Sequence, residues 1–348
     1  MSIDSNVQMA AVSAVEEGMA AAQRSYDKVT GRNFQAPAGS AVVQDPTNGQ
    51  VLALATVPSY DPSQFVGGIS NANYQALRNN PAFPLEDRTI QGQYAPGSTF
   101  KLVTATAGLQ YGLVSPTSIF HDTGSIKIGN FVAHNDNNAA YRNIALPQAI
   151  TVSSDNYFNT IGLNLWYGRA QYGDEALQQV ARDYGFAAPS NIKLPNEVAG
   201  KIPTPASYKR DHQKDPKVFV QAQWYPGNSD QLAIGQDEVL VTPLQLANAY
   251  ASFANGGTLW NPRVAADAET PAGKVIANYA PKPIRTIALH PDWRAAMLAG
   301  FTGVVNNPQG TAFGVFGHTP LSAMDIAGKT GTAQVTSAGR QNTSVFTS

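Results

Sequence analysis

Apolar and polar positions follow two different periods along this chain. Residues 6–29, NVQMAAVSAVEEGMAAAQRSYDKV, are Ala-rich, free of Pro and carry a single Gly, which predicts a helix. Further on, GSAVVQDPTNGQVLALATVPSYDP places two β-rich runs around Pro46-Thr47-Asn48-Gly49. Asn-Gly between such runs predicts a hairpin. The chain therefore opens as helix, strand, turn, strand.

A helix behind Ser98 runs to about Tyr111 and stops at Gly112. From there to about Asp237 the pattern is mostly helix and loop. LPQAITVSSDNYFNTIGLNLWYG reads as a helix pair or a bent helix, and GDEALQQVARDYGF as an amphipathic helix. The polar stretch ASYKRDHQKDPKVFVQAQWYPGNSDQ reads as loop. TPLQLANAYASFANGG is a helix with Thr242 as N-cap, Pro243 at its first position, and Gly256 and Gly257 ending it. HPDWRAAMLAGFTGVVNN is another helix, AMDIAGKTGTAQV a strand broken around small residues, and TSVFTS the start of one more strand. A helical middle between two strand-bearing segments points to an α/β (α+β) fold. On this reading 1–111 and 257–348 form a sheet-containing part and 112–256 a mostly helical one, within a single domain.

Composition narrows the function classes. With 43% hydrophobic and 14% charged residues, the chain can bury a sizeable core. Its net charge of −1 gives no electrostatic pointer to nucleic acid. Cysteine is absent, which excludes disulfides, a thiol nucleophile and thiolate metal sites. No apolar run approaches the ~18 residues of a membrane span, and MSIDSNVQMAAV lacks the pattern of a signal peptide. Either the protein is cytoplasmic or a targeting segment has been cut away.

The stretch QYAPGSTFKLVTA carries the candidate chemistry. Pro96-Gly97 turns the chain, and Ser98 and Lys101 follow at a spacing that shares one helix face. At a helix start the first N–H groups lack partners and favour negative charge. A serine there lies beside donors for a developing oxyanion. A neighbouring amine can take the hydroxyl proton only when neutral. Free lysine titrates near ~10.4, and a drop of ~3 units costs about 4 kcal/mol, supplied by burial or a nearby cation. The spacing alone is unspecific, because Ser25…Lys28 and Ser190…Lys193 match it as solvated surface pairs.

Two further motifs lift Ser98 out of that background. Ser154-Asp155-Asn156 and Lys329-Thr330-Gly331-Thr332 each occur once and follow it in order. The set S-x-x-K, S-x-N, K-T-G is that of penicillin-binding proteins and class A β-lactamases. With the hairpin around Asn48 and the segment QLAIGQDEVLVTPLQLANAYASFANGGTLWNP, the chain resembles a class B penicillin-binding protein transpeptidase domain. Its elongation-type branch, penicillin-binding protein 2, is the best match.

The resemblance implies the penicillin-binding protein/serine β-lactamase-like fold, an antiparallel sheet flanked by helices plus an all-helical subdomain. It implies a serine-type D-Ala-D-Ala transpeptidase that cross-links peptidoglycan stem peptides through an acyl-enzyme and is acylated by β-lactam antibiotics. Ser98 would be the nucleophile and Lys101 the base. Ser98 and Thr332 would give the oxyanion N–H groups, and Lys329 and Thr330, with Gly331 between Thr330 and Thr332, would hold the substrate carboxylate. The middle motif has two registers. The literal match is Ser154 with Asn156, whereas elongation-type members often carry S-x-D, which favours Ser153 with Asp155. A shift of one residue turns a helical side chain by ~100°, so both pairs cannot face the site alike.

No cofactor is expected. Some relatives bind zinc near this motif, and His121, Asp122, His134 and Asp136 stand close in sequence, but Ser154 occupies the place of the relatives' Cys. The resemblance places the protein on the extracytoplasmic side, held by a membrane anchor and working with a glycosyltransferase of the elongation machinery. Family members also carry a pedestal domain before this region, and strands and a helix after it, so the sequence reads as a fragment. The alternatives are a D,D-carboxypeptidase, a β-lactam sensor and a serine β-lactamase. The last lacks an assignable acidic residue for deacylation.

Overall fold

The computed structural model describes residues 1–317, 324–333 and 341–348. The first helix runs Ser5–Arg24 and is capped by Asp4, whose carboxylate accepts from Asn6 N at 2.8 Å and Val7 N at 3.1 Å. It ends before residue 29 because Asp27 competes for the backbone. That carboxylate accepts from Val29 N at 2.9 Å and the Thr30 hydroxyl at 2.6 Å, and Tyr26–Asp27 pairs with Arg32–Asn33 instead. A short acidic side chain bonded to the backbone two residues on favours a turn over a helix.

Gly39–Gln44 pairs antiparallel with Val51–Val57, with a bulge beside Gln44. The turn is wider than the two-residue type that Asn-Gly predicts. Asp45 gathers Thr47 N, the Thr47 hydroxyl and Asn48 Nδ2 at 2.8, 2.6 and 2.7 Å and so closes residues 45–50 as one loop. Val51, Ala53, Ala55 and Val57 are buried in strict alternation, the period of a strand with one covered face. The first helix supplies that cover through Val7 and Ala11.

Helix Lys101–Gln110 is buried from residue 101 to 109, and its buried Thr104 and Thr106 hydroxyls donate to Ala233 O at 2.6 Å and Leu102 O at 2.9 Å. Around it the main core joins Phe100, Ile150, Tyr157, Tyr184, Val241 and Phe301. The helix pair expected from 146 to 168 is Leu146–Thr151 and Asp155–Tyr167, broken at Val152–Ser154. Helix Pro291–Asn306 lies against the first of the pair, where the Thr151 hydroxyl donates to Gly300 O at 3.1 Å.

The middle differs from expectation in two ways. It carries four short strands: Phe120–Asp122 pairs with Arg142–Ile144, and Ser125–Ile128 with Phe131–His134. The stretch read as loop from its polarity contains helices Pro205–Lys214 and Pro226–Ala233. Both begin with Pro at the first position, and Thr204 and Ser207 form a reciprocal cap, so cap chemistry outweighs polarity. Thr242 caps Pro243–Ala254 as predicted, accepting from Gln245 N at 3.2 Å. Of the unassigned histidines, His212 bonds Phe219 O at 2.8 Å, His290 caps helix Pro291–Asn306, and His318 lies outside the described residues.

Lys329–Ala333 pairs antiparallel with Thr343–Thr347, while 324–328 is irregular. This strand lies flush on the turn Gly97–Phe100. A Cβ on Gly331 would stand 2.5 Å from Pro96 O, and one on Gly97, at φ +53°, would stand 2.6 Å from Thr332 O. Each approach is open only because the residue that faces the other backbone has no Cβ. The variant Gly331→Ala is expected to push the strand off the turn and destabilise the fold by about 1–3 kcal/mol, which calorimetry checks as a lowered melting temperature.

Candidate active site

Ser98 sits in a 3₁₀ turn, Gly97–Phe100, rather than in the first turn of an α-helix, and its carbonyl accepts from the Lys101 N–H. In a 3₁₀ turn residues i and i+3 eclipse, so the two side chains leave the chain on the same side. Ser98 is half-buried, whereas the Lys101 side chain is fully buried.

Lys101 Nζ donates to Ser153 O at 2.8 Å, to Ser153 Oγ at 3.1 Å and to Asp155 Oδ1 at 2.5 Å. The Phe158 ring centroid lies 5.3 Å from the same atom. From the strand, Lys329 Nζ reaches Ser153 Oγ at 2.8 Å and Thr330 O at 3.1 Å. One hydroxyl therefore stands between two buried amines. Among the described residues no hydrogen bond forms on Ser98 Oγ.

Electrostatics follow from this count. Burial lowers the Lys101 amine, and the Asp155 charge and hydrogen bond oppose the drop. Burial and then the Lys101 charge hold Lys329 well below the ordinary lysine value, with Asp155 opposing. Two amines out of water share one carboxylate, and desolvation disfavours every unbalanced charge. The site thus favours loss of a proton from one of them.

The two registers of the middle motif separate cleanly in space. Ser153 and Asp155 meet Lys101, whereas the Ser154 hydroxyl donates to Asp122 Oδ2 at 2.5 Å and Asn156 Nδ2 donates to Asp122 Oδ1 at 3.2 Å. Ser154 is also the N-cap of Asp155–Tyr167, accepting from Tyr157 N at 3.0 Å. Ser153 holds φ +58°, a left-handed conformation that serine rarely adopts. At that turn alternate residues meet opposite partners, Ser153 and Asp155 on Lys101 and Ser154 and Asn156 on Asp122.

The residues considered for zinc do not form a ligand set. His121, His134 and Asp136 are exposed, and buried Asp122 is surrounded by hydrogen-bond donors from Gly124, Asn135, Ser154 and Asn156. No group of three His, Cys, Asp or Glu suited to a metal occurs among the described residues. The other two S-x-x-K pairs stay apart from the site. Ser25 is exposed beyond the first helix, and Ser190 bonds Glu197 while Lys193 faces solvent.

On the strand side, the Thr330 and Thr311 hydroxyls are 2.6 Å apart, and Gln236 Nε2 donates to Thr332 O at 2.8 Å. Gly97 N donates to Gly235 O at 2.9 Å, which ties the Ser98 turn to the same segment. Sequence reasoning missed Thr311, Gln236 and Asn135. None lies in a motif, and only the fold brings each of them here.

Asp230 was missed as well. It is fully buried on helix Pro226–Ala233, and its Oδ1 has no partner. Burial first, and then the nearby Asp155 charge, push its carboxyl up to about 6. A folded pKa raised above the unfolded one gives stability that is complete near pH 4 and is lost as pH rises through about 6. Asp230→Asn is expected to flatten this component, worth roughly 2–3 kcal/mol. Melting curves at pH 4.5 and pH 8 check it: wild type loses stability between them and the variant loses less.

A family model described as the penicillin binding protein transpeptidase domain matches residues 39–348. The peptidoglycan D,D-transpeptidase MrdA of Acinetobacter baumannii is 33% identical over 301 residues, covering 86% of this chain and 42% of the relative. The crystal structure of Pseudomonas aeruginosa PBP2 in complex with WCK 5153 matches at TM-score 0.77 and 32% identity, covering 99% of this chain and 66% of that one. A chain from a peptidoglycan synthase complex that coordinates polymerization and crosslinking matches at TM-score 0.78 and 29% identity, covering 97% of this chain and 53% of that one. The chain thus spans less than half the length of the curated relative. The matches and the ordered motifs agree: the chain belongs to the penicillin-binding protein transpeptidase family, on its elongation-type penicillin-binding protein 2 branch.

Proposed function

We propose that this chain is the catalytic domain of a peptidoglycan D,D-transpeptidase. The observation that carries the reading is the convergence of Lys101, Ser153, Asp155 and Lys329 beside the Ser98 turn, from three separate segments of the chain. Ser98 and Lys101 come from the stretch 1–111, Ser153 and Asp155 from 112–256, and Lys329 from 257–348.

Ser98 Oγ attacks the carbonyl of the penultimate D-Ala of a stem peptide, and its proton passes to neutral Lys101 Nζ. Substrate has to bring Ser98 and Lys101 into hydrogen-bond contact, as catalytic pairs often tighten only in the complex. The tetrahedral oxyanion is held by the Ser98 and Thr332 N–H groups, at the place where Gly97 meets the strand. Thr330, paired with Thr311, and Lys329 receive the terminal carboxylate, whose charge favours the protonated form of Lys329 and leaves Lys101 as the neutral amine. The Ser153 hydroxyl lies within reach of both amines, so a proton taken by Lys101 can return through it to the departing D-Ala nitrogen. An amine of a second stem peptide then attacks the ester and regenerates Ser98.

A β-lactam presents an acyl group to the same serine and gives a lasting ester. Such a reaction places the domain on the extracytoplasmic side, where its polymer lies. The likeness to a chain of a peptidoglycan synthase complex supports a glycosyltransferase partner. Among the described residues no helix is long and apolar enough to cross a membrane.

A fluorescent penicillin tests the reading. Stable labelling at Ser98 is expected, abolished in Ser98→Ala and reduced about 10²–10⁴-fold in Lys101→Ala with the fold retained. Normal labelling of Lys101→Ala removes that lysine as base, and rapid release of label indicates a β-lactamase. A donor peptide with an amine acceptor should give the cross-linked product. Hydrolysis alone indicates a carboxypeptidase.

A further inference from the structure

We propose that Asp122, with Asn135, is a positioning residue that sets the register of the 153–155 turn through hydrogen bonds alone. This rests on the acyl-transfer reading above and adds to it residues outside all three motifs.

Asp122 ends strand Phe120–Asp122 and is 1% exposed. Its two oxygens accept from Gly124 N at 2.7 Å, from Asn135 Nδ2 at 3.0 Å each, from Ser154 Oγ at 2.5 Å and from Asn156 Nδ2 at 3.2 Å. Asn135 is 3% exposed, and its Oδ1 accepts from Asn156 N at 2.8 Å while its Nδ2 also donates to Ala139 O at 2.8 Å. Three of these bonds therefore end on residues 154 and 156, which alternate with 153 and 155. A carboxylate at the start of helix Asp155–Tyr167 is also favoured by the helix dipole.

The geometry links the cluster to Lys101 at one remove. Ser153 is held at φ +58°, a strained conformation that persists only where its surroundings fix it. Residues on either side of Asp155 are pinned to Asp122 and Asn135, so Asp155 has one direction left, toward Lys101 at 2.5 Å. The groups facing Lys101 Nζ are Asp155, Ser153 and the Phe158 ring, with Lys329 reaching the same Ser153 hydroxyl from the strand. Release of the turn removes Asp155 from that set. Hydrogen-bond donors thus surround Asp122 where a ligand set would need further lone pairs, and the turn is held without a metal.

The test measures the acylation rate of Ser98 by a fluorescent penicillin against pH. Asp122→Asn keeps the shape but sets an NH₂ against donors. Its rate is expected to fall ~10-fold or more, the scale of a small misplacement in a catalytic group. The rising limb of the profile should also move to lower pH, as in Asp155→Asn, because Lys101 loses the carboxylate that favours its charged form. Should Asp122→Asn fail to fold, Ser154→Ala is expected to show both changes and Ser154→Thr, which keeps the hydroxyl, to restore them. Folded variants with the wild-type rate and an unmoved limb overturn the proposal. So does a loss of rate that only tracks the folded fraction. Wild type that is not labelled at Ser98 overturns the acyl-transfer reading, and this proposal with it.

Discussion

Everything at the centre of this molecule depends on two amines sharing one carboxylate out of water. Lys101 and Lys329 are both fully buried, both reach the Ser153 hydroxyl, and among the described residues Asp155 alone opposes their charge. In water such an arrangement is unremarkable, because solvent screens each charge. In the interior each uncompensated ammonium is costly, and the simplest relief is loss of a proton. The same environment lowers both amines, Lys329 the more and Lys101 the less, because Asp155 hydrogen-bonds Lys101. Perturbed titration of this kind is common at functional sites.

Placing these groups takes three local devices. The 3₁₀ turn eclipses Ser98 and Lys101, and Gly97 and Gly331 let the Lys329–Ala333 strand touch that turn backbone to backbone. The left-handed Ser153 lies in the break between helices Leu146–Thr151 and Asp155–Tyr167. The Asp122–Asn135 pair holds the residues that alternate with Ser153 and Asp155. Each device fixes direction rather than distance alone.

Much of this was legible in the sequence, for physical reasons. Period and caps gave the helix after Thr242 and the hairpin around Asn48, because those signals are local. Motif order gave the family, since three short patterns in sequence constrain one geometry. Polarity misread residues 206–231 as loop, although Pro205 and Pro226 at first-turn positions were local signals of helix. The register of the middle motif was not decidable from spacing, because a single positive φ at Ser153 inverts which residues face Lys101. Asp122 and Asn135 were invisible as positioning groups. Their partners lie up to 34 residues away, and only the fold brings them together.

The most direct test of the central claim is a pH titration of the Lys101 and Lys329 side chains by NMR with ¹³C-labelled lysine, assigned with single substitutions. The account predicts that Lys329 titrates well below the ordinary lysine value of ~10.4, with Lys101 lowered less, held up by Asp155. Retention of both protons up to the ordinary lysine range would contradict it.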